Sequence, residues 1–555
     1  MGPPPLRGAN IDCVDVPTAQ RERELLVHSG TMLIRRVPSP PVWLVLTIVG
    51  VAALALRLAF LFRAPVFIIG DSENYFWPGY QFAREVGFDL DLRRTPGYPL
   101  FIAFVVRQVG EDLAALALVQ HLLGVVTCLL VAMLGIRFWG VWTGLLAGLV
   151  VGLSGPLLVA EQYVMAETLF ISLATVTIAW LALAIERPRW WTLLIGGLLI
   201  GVAALTRPVG LVLAVAALLA LPVGAWWRRD DLTPSPSPAR RGEHERTFSP
   251  LSAPERGVGG MRSTFGVLLQ AFALLAGVAL VWLPWMARNS LVHDSFSADG
   301  NAGSTLVGRA MRHDAGFAFE NPNDPDPARQ RAREIMRGGR GRFVTPTRDR
   351  IKRELGLTDA EANRLMRDLS LEAILRQPGY YLLGTAGWFW QLSQGSPERY
   401  RDHWQTRRDE GNREEWEANK EIGYLLGPPS PLQQAQYDEA EALLSLFQPA
   451  RLGPTIPLLA LVGVVGLALG IGARQRRPEV AAFLALVVVG LLLAAVALVA
   501  PHPRYRYPVE PLLGLLAAGG LTTVVALAQA GAATGRGSAR RSGREVQSAS
   551  QISTA

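Results

Sequence analysis

The chain has 555 residues, 50% of them hydrophobic and 18% charged, with a formal charge of +8 and a mean hydropathy of +0.25. That balance excludes a disordered chain and an ordinary soluble enzyme, because the apolar residues gather into runs long enough to cross a hydrocarbon core of about 30 Å. The positive charge is almost all arginine, Lys352 and Lys420 being the only lysines, and its placement in short connections between apolar runs is a membrane-orientation bias, not the footprint of a nucleic-acid binder.

Residues 1–41 are polar and proline-dotted and end near Arg35 and Arg36, ahead of the apolar run 42–62. That run is long for a signal-peptide core and has no cleavage chemistry behind it, so it reads as a retained anchor with a cytoplasmic N-terminus. Further apolar runs lie near 113–136, 140–159, 167–185, 190–206, 208–226, 264–286, 455–473, 479–500 and 511–530. The expectation is an all-α polytopic membrane protein with about ten transmembrane helices. If the helices alternate from an inside N-terminus, Arg137, Arg187, Arg189, the stretch Arg228 to Arg262, Arg474 to Arg477 and the tail arginines all fall inside, as the bias demands.

The organisation expected is a tail (1–41), an N-terminal transmembrane module (42–230) with a first outer loop (63–112), and a Pro/Ser/Arg-rich disordered cytoplasmic loop (231–262). A transmembrane helix (263–286), a mostly helical extracytoplasmic region (287–450), C-terminal transmembrane helices (451–530) and a basic, disordered tail (531–555) follow. Within the extracytoplasmic region, Tyr380 to Leu392 is aromatic and reads as an interfacial stretch, with Trp388 and Trp390 as membrane anchors. Cys13 and Cys128 form neither a disulfide framework nor a metal-ligand spacing.

Charged residues collect on the side this topology calls outer. The first loop carries Asp71 and Glu73 in I-I-G-D-S-E-N-Y, then Arg93 and Arg94 before the Pro96-Gly97-Tyr98-Pro99 corner. Two carboxylates beside a low-dielectric surface can act as a general base or orient a hydroxyl, and arginines suit a phosphate because they are permanently charged and bidentate. Taken alone, Asp71 could as well cap a short helix near Tyr75. Glu161 and Glu167 stand at the same boundary, as do Arg207 in L-T-R-P, Arg288 in L-P-W-M-A-R-N, and Arg504 and Arg506 in P-H-P-R-Y-R-Y-P. Arginines that defy the orientation bias call for an anionic partner, either lipid phosphate or these carboxylates. Gln120 and His121, inside an apolar run, should face the bundle interior as packing hydrogen bonds.

In order, the acidic residue after the first helix, R-T-P-G-Y-P-L-F, A-E-T-L-F, L-T-R-P, L-P-W-M-A-R-N and R-Y-R-Y-P resemble the GT-C superfamily of membrane glycosyltransferases, and most nearly its bacterial branch similar to dolichyl-phosphate-mannose protein mannosyltransferases. The resemblance covers residues 42–300 well and 455–530 moderately. It implies a GT-C-like first outer loop and transfer of a sugar from a polyprenyl-phosphate donor to an acceptor on the extracytoplasmic face, with inversion. Asp71 would be the base; Glu73 is separated from it by Ser72, where related families place the acids side by side. Arg93, Arg94, Arg207, Arg288, Arg504 and Arg506 would hold the donor phosphate, and Tyr98, Glu161, Glu167, His502 and Tyr505 are candidates for donor or acceptor contacts. No cofactor is required, although Asp71, Glu73, Glu161 and Glu167 could assemble an oxygen site for a divalent cation; no metal is assigned. The partners implied are the bilayer, the lipid-linked donor and an acceptor of unspecified class, with no nucleic acid. The location implied is the plasma membrane, with both termini cytoplasmic. A transporter or flippase is the alternative from another class, against which stands the gathering of polar residues at one face and not at the midplane.

Overall fold

The computed structural model describes residues 39–64, 66, 70–91, 94–230, 256–293, 296, 306–313, 317–339, 344–395, 431–446, 449–498 and 503–552; the side chains of some of these, Asp71 among them, lie outside the description. Arg93, His502, Cys13, the N-terminal tail to residue 38 and residues 231–255 of the expected cytoplasmic loop also lie outside it. The chain divides into a unit of Pro41–Thr523, to which the account below refers, and a unit of Met1–Pro40 with Val524–Ala555, whose described part is residues 39–40 and the continuation of the last helix.

The described residues are helical, with no strand among them. In chain order the first helices are α1 (Val42–Leu61), α2 (Gly70–Ala83), α3 (Gly97–Gln108), α4 (Leu113–Phe138), α5 (Val141–Gly152), α6 (Gly155–Gln162), α7 (Glu167–Glu186), α8 (Trp190–Thr206), α9 (Val212–Asp230) and α10 (Arg256–His293). They are followed by α11 (Pro327–Gly338), α12 (Val344–Leu355), α13 (Asp359–Arg376), α14 (Pro378–Gln394), α15 (Pro431–Leu446), α16 (Thr455–Leu469), α17 (Pro478–Leu498) and α18 (Glu510–Ile552). Seven helices or helix segments among the described residues are long and apolar enough to cross a membrane. The other three apolar runs expected to span are the pair α5 and α6, bent by 49° at a short break, and the shorter helices α8 and α16. The chain is a multi-pass membrane protein, with every expected apolar run built as helix.

Two boundaries differ from expectation. Helix α10 starts at Arg256, inside the stretch expected to be disordered, and α18 continues through the tail to Ile552. The last proline is Pro511, so nothing in the remaining sequence forces that helix to stop.

Close helix packing rests on small residues, as it must where neighbouring side chains and lipid are equally apolar. A Cβ on Gly197 of α8 would lie 2.1 Å from the Leu274 carbonyl oxygen of α10, and one on Gly277 would lie 2.3 Å from that of Leu194. Gly201 meets Val281 one turn further on. The pairings advance in the same sense along both helices, so α8 and α10 run parallel, and their C-terminal ends reach one level.

A separate apolar cluster, including Val307, Met311, Phe317, Ile335, Met336, Ile351 and Leu369, makes the core of α11 to α13. Arg309 ties this region to the bundle. It is buried, its guanidinium lies 4.1 Å from the Trp388 ring centroid and 4.8 Å from that of Tyr381, and it donates to Thr385 Oγ1 and the Val496 carbonyl. Trp388, expected as a membrane anchor, is therefore a platform for a buried cation, whereas Trp390 is exposed.

Gly277→Val should lower the melting temperature of the purified protein, since overpacking of this kind costs about 1–3 kcal/mol. An unchanged melting curve would show that the α8–α10 packing can relax without cost.

Candidate active site

The region begins inside the bundle. Arg57, one turn before the C-terminal end of the apolar helix α1, is fully buried. It donates to Glu161 Oε1 (2.8 Å), to the Gly152 carbonyl (3.0 Å) and, within its own helix, to the Ala53 carbonyl (3.3 Å). The second Glu161 oxygen faces His121 Nδ1 at 2.7 Å, and His121 Nε2 faces Gln162 Oε1 at 2.7 Å. Gln162 in turn donates to the Ala64 carbonyl beyond the end of α1. A carboxylate removed from water needs partners for its charge and lone pairs, and Arg57 and His121 supply them. Gly124 leaves room for the arrangement: a Cβ there would sit 2.1 Å from Glu161 Oε1.

The network extends outward to the first loop. Gln120 donates to the carbonyls of Glu161 and Tyr163 (2.8 and 2.9 Å) and accepts a 2.7 Å bond from the Tyr98 hydroxyl. Burial pushes the Tyr98 phenol well above its ordinary value, with the nearby Glu167 charge adding to the effect, so it remains a donor. The corner preceding Tyr98 rests on the C-terminal end of α8. Thr95 Oγ1 donates to the Thr206 carbonyl at 3.0 Å, and a Cβ on Gly97 would lie 2.7 Å from the Leu205 carbonyl oxygen. Only glycine permits that approach.

Next to this seam, Arg207 pairs with Glu167 at 2.6 Å. Glu167 is buried, while Arg207 keeps 20% of its side-chain surface. The Arg207 guanidinium lies 5.9 Å from the Tyr505 ring centroid and that of Arg504 lies 5.2 Å from it; Arg504 also donates to the Tyr505 hydroxyl at 3.2 Å. In the first loop, Arg94 stands 4.8 Å from the Tyr75 ring centroid, 3.4 Å from its hydroxyl, and Tyr75 packs edge-on against Tyr98. Asp71 occupies the first turn of α2, one helical turn ahead of Tyr75; Glu73 is half-buried on the same helix. Arg288, near the end of α10, lies 4.9 Å from the Trp285 ring centroid and donates to Asn289 Oδ1 at 3.1 Å. Because α8 and α10 run parallel, it sits at the level of Arg207.

Among the residues named from sequence, Tyr98, Glu167, Arg94, Arg207, Arg504 and Tyr505 thus belong to one rim of the bundle. Two others are turned inward. Glu161, expected at the outer boundary, is held inside by Arg57 and His121. Arg506 is buried and paired with Glu510 one turn later, so its guanidinium is part of the packing. Gln120 and His121 face the interior as hydrogen-bonding residues, as expected. Among the described residues no group of three or more His, Cys, Asp or Glu side chains is arranged to hold a metal ion; Glu161 and Glu167 are engaged by cations of the protein itself. Sequence reasoning missed Arg57 and Gln162. The available signal was a lone arginine inside an otherwise apolar span, a costly feature that implies a buried partner.

Comparison with known proteins gives three findings. Residues 93–235 match the model of the family described as dolichyl-phosphate-mannose-protein mannosyltransferase, in line with the resemblance read from the motifs. No curated protein matches the chain. Among solved structures it is similar to the archaeal oligosaccharyltransferase AglB from Archaeoglobus fulgidus, in complex with an inhibitory peptide and a dolichol-phosphate (12% identity, 87% of this chain and 50% of that one, TM-score 0.42). It is similar also to ArnT from Cupriavidus metallidurans, both bound to undecaprenyl phosphate (12% identity, 86% and 77% covered, TM-score 0.32) and in the apo state (14% identity, 86% and 77%, TM-score 0.31). The chain spans half the length of the archaeal protein.

Arg57→Ala should destabilise the protein by about 3–5 kcal/mol, because it strands a buried carboxylate. The double variant Arg57→Met/Glu161→Gln should recover part of that loss in thermal unfolding. Equal stability of Arg57→Ala and wild type would mean that the pair contributes nothing to the fold.

Proposed function

We propose that this chain, through the module that includes residues 93–235, is an integral membrane glycosyltransferase that moves a sugar from a polyprenyl-phosphate donor to an acceptor hydroxyl at the rim described above, on the extracytoplasmic face of the plasma membrane, with inversion. The observation that carries the reading is the pair of arginines, Arg207 and Arg504, flanking Tyr505 beside the apolar bundle, at the seam where the family-matching segment brings its loop corner onto α8. Both termini are cytoplasmic in this arrangement, which keeps the basic connections on the inside.

The chemistry asks little of the protein beyond placement. The acceptor oxygen attacks the anomeric carbon as the bond to the phosphate oxygen breaks; the acceptor proton passes to a base, and the polyprenyl phosphate departs with the bonding electron pair. Asp71 is the proposed base, with Glu73 on the same helix. Arg93, Arg94, Arg207, Arg288 and Arg504 are proposed to screen the departing phosphate, where preorganised cations beside a low-dielectric wall act more strongly than in water. Tyr98, Glu167 and Tyr505 line that region, and His502 adjoins it in sequence. The polyprenyl tail remains in lipid against the exposed leucines and valines of the helices. A lipid phosphate is already a competent leaving group, so the reaction as proposed draws on no metal or other cofactor.

Asp71→Asn should lower turnover by about 10²- to 10⁴-fold while donor binding persists; retained turnover with a defined donor would remove Asp71 from the role of base. Arg207→Ala should raise the apparent KM for the donor. Combined with Glu167→Gln, which discharges the orphaned carboxylate, the KM defect should persist, and recovery of a normal KM would reduce Arg207 to a structural partner. Incubation of membranes with radiolabelled polyprenyl-phosphate sugars tests the activity itself: label should move to an acceptor, whereas counterflow of an unmodified solute in liposomes would favour a transporter.

A further inference from the structure

The end of the bundle away from the rim carries a second constellation of arginines. Helix α7 has Glu167 at one end and Glu186 at the other, roughly 30 Å apart at 1.5 Å per residue. Around Glu186 stand Arg137 from the end of α4, paired with it at 2.5 Å, and Arg477 from the α16–α17 connection at 3.8 Å. That connection is fixed on the bundle: the Arg474 amide donates to the Phe138 carbonyl at 2.8 Å, the Arg477 amide to Leu467, and Arg476 Nε to Ala468. Arg476 is further held by Trp227 at the end of α9, its guanidinium 4.0 Å from the indole centroid. Glu479, two residues after Arg477, is buried at the start of α17. Arg474 and Arg476 remain exposed, with Arg187 and Arg189 exposed in the neighbouring connection.

Apolar stripes lead to these arginines. Leu458, Leu461, Val465 and Leu469 are exposed on one side of α16, and Val215, Leu219 and Trp226 on α9. Both helices pack on α17, whose Val489 and Leu493 are also exposed. A surface that is greasy along its length and ends in fixed, bidentate cations beside tryptophan suits an amphiphile with a phosphate headgroup and apolar chains, as an anionic phospholipid is.

We propose that the α16–α17 connection, with Arg474 and Arg476 braced by Trp227, is a binding site for an anionic phospholipid whose chains lie along the exposed faces of α16 and α9. The guanidiniums hold the headgroup phosphate, Trp227 fixes the orientation of Arg476, and Glu186 occupies Arg137 and Arg477, cancelling one of their two charges, while Arg474 and Arg476 stay exposed to a ligand. The site is independent of the transferase rim.

Native mass spectrometry of the full-length protein, titrated with dioleoylphosphatidylglycerol or dioleoylphosphatidylcholine in detergent, tests this directly. The anionic lipid should be retained in preference to the zwitterionic one, and Arg474→Gln/Arg476→Gln should lose that preference while Arg187→Gln/Arg189→Gln keeps it. Arg476→Lys, which preserves charge and is the milder change if the double variant melts early, should weaken retention because the planar fork and its stacking on Trp227 are gone. Equal retention of the two lipids by wild type, undiminished preference in Arg474→Gln/Arg476→Gln, or the same loss from the Arg187 and Arg189 pair would overturn the site in favour of diffuse charge.

Discussion

The Glu161 carboxylate, shut away from water and shared between Arg57 and His121, is the interaction on which the architecture of the rim depends. It sits near the C-terminal end of α6, and its partners come from α1 and α4. Three segments that hydrophobic burial alone would leave free to slide are thereby pinned at one point, because each displaced partner exposes an unpaired charge to a low-dielectric interior. Gln120, next to His121, then holds the carbonyls of Glu161 and Tyr163 and receives Tyr98. The first loop is thus seated from within the bundle. Its corner does not depend on pairings between water-exposed groups, which would be weak and mobile.

From that anchor the rim follows by steric necessity. Gly97 lies against the carbonyl of Leu205, so Thr95 can bond to Thr206 and the arginine that follows, Arg207, is presented beside the loop. The parallel packing of α8 on α10 brings Arg288 to the same level, and Pro503 to Val509 supplies Arg504 and Tyr505 from far along the chain. None of these cations is strongly desolvated except Arg506, which has Glu510 for company. The arrangement separates two kinds of arginine: one kind completes the packing, and the other is steadied by aromatic rings while keeping access to a partner.

The spans were legible because a run of leucine, valine and alanine leaves no other way to satisfy backbone hydrogen bonds in lipid. Ends and partners were less so. Arg57 hides in α1 because one charge in a helix of 20 mostly apolar residues barely alters the character of the run. Arg504 and Arg506 look alike in R-Y-R-Y, and only the helical turn beginning at Tyr507, which carries Glu510 back to Arg506, distinguishes a packed cation from one facing the rim. Glu161 and Glu167 read as equivalent boundary acids, yet the bend between α5 and α6 turns the first inward. Trp388 had an interfacial composition, and its partner Arg309 lies 79 residues away, beyond any local pattern. Conversely, Arg207 and Arg504 stood out from their position at span ends, where the chain has little packing reason to carry charge, and Tyr98 from its place in the proline-flanked corner of the first loop.

Helix α7 shows how the two ends of the bundle come to differ. Glu167 is in its first turn, where the helix dipole already favours a negative charge, so one arginine suffices and Arg207 retains exposed surface for another partner. Glu186 is in the last turn, where the dipole opposes it, and it is held by two arginines, Arg137 and Arg477. The extra cation is brought by the α16–α17 connection, which carries Arg474 and Arg476 with it. A single helix bearing carboxylates at both termini thus meets one arginine at its first turn and two at its last, and the second of those two brings a neighbouring connection with further arginines.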